Sequence, residues 1–198
     1  MTTSARGAAV IVSIALLATV ATQTFYIGVV SESANAEMLR KLTWTTEMVL
    51  FTIVAVAALP LVARSHAPMV WSAVAIAGLV NVIQVGMGLL EFPQAQKAAD
   101  EQVFQTVLNG AFFLYFHGKA LIGFAAIAMG IAALSQASPV VKGLGGLSIL
   151  AGLAAVGLNL IGMANGMGLV FEAGAAGTAA TALFALTVLV TKSGDTAA

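Results

Sequence analysis

Six stretches of this chain are each apolar over about the 20 residues an α-helix needs to cross a bilayer, and that length of grease restricts the fold more than any other feature. They run over about 8–30, 44–63, 69–90, 111–134, 143–164 and 173–190. Backbone amides in hydrocarbon must find partners within their own segment, and the runs are too long and continuous for barrel strands, so each reads as a helix. The expectation is an all-α membrane protein: six transmembrane helices in a compact bundle, with residues 1–198 as a single transmembrane domain.

Composition narrows the function classes. Charged residues are 8% of the chain and the net charge is zero, which gives nucleic acid no basic surface to bind. Without cysteine there are no disulfides, iron–sulfur ligands or thiol nucleophiles. Of the two histidines, His66 lies in a polar loop and only His117 in a span, so neither a bis-histidine haem nor another cofactor is expected. The methionines read as packing filler, since no cysteine or second nearby histidine joins them in a soft-metal site. No nucleotide loop, paired-histidine metal motif or nucleophile elbow is present, so the reading leans away from an enzyme.

Lysine and arginine in short loops set orientation. Arg6, Arg64, Lys142 and Lys192 fall at one set of span ends, and Arg40, Lys41 and Lys97 at the other. All acids except Asp195 lie on the second side, so both termini are expected in the cytoplasm. The alternative is cleavage of the first span at Ala34-Asn35-Ala36. That site lies well past the apolar stretch, which is itself longer than a signal core of about 7–15 residues. Two outer connections read either as surface helices or as plain polar connectors: Ser31–Leu42, with Glu37 and Lys41 spaced i,i+4, and Pro93–Leu108, with Asn109-Gly110 as a stop.

Spans two and three, and four and five, form two hairpins that resemble each other as a parallel repeat. Gly86-Met87-Gly88-Leu89-Leu90-Glu91 matches Gly166-Met167-Gly168-Leu169-Val170-Phe171-Glu172, Asn81 matches Asn159, and the turn prolines Pro68 and Pro139 correspond. The many glycines within spans are expected to let helix backbones approach closely, Gly162 with Gly166 and Ala173 with Gly177 forming small-xxx-small pairs.

Ionisable groups at depth cost about 2.5–3.5 kcal/mol even on lenient scales, so each is a candidate site residue. Lys119 lies about eight residues inside the fourth span, roughly 12 Å deep at the helical rise. Glu47, Gln23, Tyr26, Asn81, Gln84 and Asn159 converge with it on the outer half of the bundle, leaving the inner half apolar. Asn81, Gln84, Gly88 and Glu91 form one helical stripe, Thr19, Gln23 and Tyr26 a second, Tyr115 and Lys119 a third. His117, about 200° around the helix from Lys119, cannot share its face. Glu47 is the expected charge partner of Lys119, with Glu91 and Glu172 as alternatives nearer the interface. The cluster reads either as an outward-opening ligand pocket or as a structural clasp that fixes helix register; snorkelling of Lys119 to the interface is a third reading. Trp44, Tyr115, Phe116 and Trp71 read as interfacial anchors.

The order of these parts resembles a bacterial family of six-span membrane proteins of unassigned function. The likeness rests on Glu47 in the second span, the run Leu121–Leu134, and Ser138-Pro139-Val140-Val141-Lys142-Gly143; the Arg-Trp pair expected after the loop proline is absent. The resemblance implies the same architecture in a bacterial cytoplasmic (inner) membrane and carries over no activity. The partners to be expected are the lipid bilayer, a small-molecule ligand, and a second copy or another membrane subunit.

Overall fold

The structure, a computed structural model, describes residues 4–34 and 36–191. Lys192 and Asp195 of the charge comparison, and Asn35 of the cleavage motif, lie outside the described residues. Six helices long and apolar enough to span a membrane form one bundle, and no strand occurs among the described residues. They are α1 (Ala5–Phe25), α2 (Ala36–Arg64), α3 (Pro68–Ala95), α4 (Glu101–Leu134), α5 (Pro139–Asn165) and α6 (Val170–Val190). α1 continues as a π-helical segment, Tyr26–Val30, and a 3₁₀ turn, Met167–Leu169, precedes α6. Sequential helices pack as neighbours, and α6 closes the bundle against both α1 and α4.

The connections differ from the sequence expectation. No separate helix covers Ser31–Leu42; from Ala36 onward that segment is the start of α2. The expected Pro93–Leu108 helix is divided. Pro93 falls in the last turn of α3, and α4 begins at Glu101 because Asp100 caps it, Oδ1 accepting the Gln102 N–H at 2.9 Å. Asn109-Gly110 does not stop the helix; α4 runs through it, with the Met87 side chain 3.5 Å from where a Gly110 Cβ would stand.

The start of α1 and the end of α6 meet at one end of the bundle. The Arg6 guanidinium donates to the carbonyls of Leu189 (2.7 Å), Val188 (2.9 Å) and Thr191 (3.3 Å). Val188 and Leu189 belong to the last turn of α6 and Thr191 caps it, a place where a cation suits the helix dipole. The core beside this end is apolar, with Trp71 edge-on to Phe184 at 5.9 Å. It is less uniformly apolar than expected, because Ser13, Ser148 and Thr187 are fully buried within it.

Glycine sets the spacing between α4 and α5. A Cβ on Gly130 would stand 2.6 Å from the Gly145 carbonyl oxygen, and one on Gly152 would stand 2.6 Å from that of Gly123. Without a hydrophobic force between helices in lipid, such contact supplies the packing. Ser148 adds a bond across the seam, its hydroxyl donating to the Ala126 carbonyl at 3.1 Å. Gly166 has a different task from the one its spacing suggested. Its φ of 80° ends α5, and nothing lies within 4 Å of a Cβ there.

The two hairpins repeat their contacts, in a register other than the one the motifs suggest. The matched Gly-Met-Gly segments differ in backbone: 86–88 is interior α3, whereas 166–168 is the break before α6. The structural equivalence lies elsewhere. Gly88 of α3 receives the Trp44 ring of α2, as Gly162 of α5 receives the Phe116 ring of α4. Further along, Gly78 abuts the Phe51 carbonyl and Ala55 amide, as Gly152 abuts the Gly123 carbonyl and Ile127 amide. One constant offset relates the first helices and another the second, and neither is the offset at which the Gly-Met-Gly motifs or the two asparagines align. This register makes Glu47 the counterpart of Lys119, each one turn below its aromatic.

Candidate functional site

α4 brings Lys119 into the bundle interior at 4% exposure, because α6 offers it glycine. Its methylenes fill the space a Gly177 side chain would need, with Cδ 2.6 Å from that Cβ position. One turn away, the Tyr115 hydroxyl sits 2.7 Å from the Cβ position of Gly174. Gly177 was expected to bring helix backbones together; it houses a lysine stem. Lys119 Nζ donates to Gln23 Oε1 of α1 at 2.7 Å and to Thr178 Oγ1 of α6 at 3.3 Å, and the Thr178 hydroxyl donates to the same Gln23 oxygen at 3.0 Å. The Tyr115 ring lies 5.5 Å from the ammonium, so its π face adds a cation–π contact.

Glu47, 6% exposed on α2, has its own partner: the Thr22 hydroxyl donates to Oε1 at 2.9 Å. No ion pair within 4 Å joins it to Lys119, in contrast to the surface pair Lys41 and Glu37. The expected direct clasp is therefore replaced by an indirect one. Thr22 and Gln23, adjacent on α1, hold the two side chains separately.

Asn81 is buried against Gly118, its amide donating to the Ala77 carbonyl one turn back at 2.7 Å. Asn81, Lys119, Thr19 and Thr181 supply the polar part of the wall of a cavity of about 10 Å³, the room one water molecule needs. The sequence expectation of an open pocket is not met in this conformation.

The remaining predicted residues lie apart. Asn159 is fully buried on α5 and ties it to α6, donating to the carbonyls of Ala155 (2.7 Å) and Ala173 (3.1 Å), while its own Oδ1 has no partner. Gln84 is half-buried and does not line the cavity. Tyr26 stacks on Trp44 at 5.8 Å, at the far end of the bundle. His117 stacks on Phe113, away from Lys119. Glu91 and Glu172 are exposed.

Thr22 and Thr178 are the residues sequence reasoning missed. Threonines in apolar helices commonly bond back to their own helix, as Thr19 does to the Leu16 carbonyl and Thr181 to that of Gly177, so a threonine in such a run carries no mark of a partner elsewhere. The neighbouring glycines 174 and 177 were the available signal that α6 receives large side chains there.

Comparison with protein-family models, with curated proteins and with solved structures finds no match. The site is therefore read from its own geometry.

Proposed function

We propose that this polytopic membrane protein binds a small polar solute carrying an anionic group, with Lys119 as its anchor and α1 as the moving wall. One observation carries the reading: a buried ammonium held only by neutral groups, with no carboxylate within 4 Å. Burying an unpaired charge is costly, and a cation serving only to fix helix register is more economically neutralised by direct contact with its counter-ion. The ammonium has three N–H donors and spends two on Gln23 and Thr178, which leaves one for a solute. The cavity beside it holds about one water, so entry requires α1 to part from α6. The π-helical segment Tyr26–Val30, which starts three residues after Gln23, supports that motion, since such segments are tolerated at a cost in helix geometry and recur at functional sites. In this reading the protein sits in a bacterial cytoplasmic membrane with its termini inside. The four cations Arg6, Arg64, Lys142 and Lys192 of the sequence, against Arg40, Lys41 and Lys97, support that orientation.

The second reading is a structural or assembly subunit, favoured by the smallness of the cavity and by node residues that bond to one another. Thermal unfolding in mild detergent with acetate, succinate, glycine and glutamate separates the two. The binding reading expects at least one probe to stabilise the wild type and none to stabilise Lys119→Met, while that variant still accumulates in the membrane. A wild type indifferent to all four, with normal accumulation of the combined apolar variant Gln23→Leu, Lys119→Met, Thr178→Val, sinks the binding reading in favour of the structural one.

A further inference from the structure

A second polar site lies at the end of the bundle opposite the termini, independent of the Lys119 node. α2 and α3 diverge there around a groove of about 500 Å³. Arg40, Lys41 and Lys97 line it, and Glu37 is its one carboxylate, already engaged by Lys41 at 2.8 Å. The wall is aromatic. Trp44 stacks on Tyr26, meets the edge of Phe92 at 6.0 Å, and carries the Arg40 guanidinium over its face at 5.8 Å. Arg40 Nε is buried and has no hydrogen-bond partner, which is costly for a group that is always charged. Gly88 makes the arrangement possible, because a Cβ there would stand 2.8 Å from the indole ring.

We infer that this groove holds the phosphate of an anionic phospholipid. A phosphodiester supplies the acceptor oxygens that Arg40 lacks and the negative charge that three cations against one paired carboxylate call for. The lipid, rather than a soluble phosphate, fits the surroundings. The groove stands at the end of two membrane-spanning helices, its floor includes Leu89, Phe92 and Pro93, and the neighbouring Met38, Leu42 and Leu90 expose apolar side chains along which acyl chains can run. Trp44 at the lining places an aromatic where headgroup meets hydrocarbon.

Trp44 also supplies the reporter. The protein is reconstituted in nanodiscs containing brominated phosphatidylglycerol or brominated phosphatidylcholine, and the Trp44 signal is taken as wild type minus Trp44→Phe. Preference for phosphatidylglycerol is expected to be about fivefold for each engaged cation. It should fall toward parity in Arg40→Gln. Lys97→Gln, on an exposed turn where folding is not at stake, should also lower it. Inorganic phosphate at millimolar concentration should leave the quenching unchanged. Equal quenching by the two lipids, or a preference untouched by both substitutions, overturns the site. Displacement by inorganic phosphate overturns the lipid as its occupant.

Discussion

The hairpins α2–α3 and α4–α5 share one frame and put it to opposite uses. Each seats an aromatic ring on a glycine of the following helix and carries an ionisable residue one turn below. In α4–α5 the ring is Phe116, 1% exposed, and α6 packs over the pair. In α2–α3 the ring is Trp44, half-buried beside an open groove. The charges are also reversed, Glu47 in one and Lys119 in the other. What surrounds a repeated contact, more than the contact itself, decides whether it becomes core or surface. The α4–α5 hairpin encloses both its aromatic and its lysine, whereas the α2–α3 hairpin buries its glutamate and shows its aromatic and nearby cations to the groove.

The largest test of this contrast is on the α4–α5 seam. Gly152→Val drives a side chain into the Gly123 carbonyl and Ile127, backbone that cannot yield without parting the helices. A loss of about 3 kcal/mol is expected, at the upper end for overpacking, read as a lowered unfolding temperature and reduced membrane accumulation. Lys119→Ala comes next, at about 2 kcal/mol, since it empties the space between α4 and α6 and removes the donor to Gln23. Its counterpart Glu47→Gln should cost under about 1 kcal/mol, because the amide oxygen still accepts from Thr22. An equal loss for the two would mean that the positions are energetically equivalent. Gly162→Ala should cost about 1–2 kcal/mol, with Phe116 hemmed in on all sides, and Gly88→Ala about half that, because Trp44 can shift into its groove. If Gly88→Ala proves the more damaging of the pair, the open hairpin is the more rigid one and the comparison fails.

Much of this was legible in the chain itself. Six apolar runs specify six helices because the bilayer allows no other way to satisfy that much backbone. The depth of Lys119, Asn81 and Glu47 follows from the helical rise, and their burial from the cost of facing lipid. Their partners were not legible. Complementary charge suggested Lys119 with Glu47, but a chain with few charges has many neutral acceptors, and an amide and a hydroxyl from α1 and α6 reach the ammonium first. Arg6 read as a topological charge, and only the fold shows that it closes the end of α6.

The sequence by itself determined the solvent, the number of helices and which side chains had to leave the lipid, since these follow from transfer free energies that act residue by residue. Which glycine receives a backbone, which a lysine and which a tryptophan was decided only by the tertiary structure. A missing side chain is an empty volume, and what fills it depends on the helix that packs across from it.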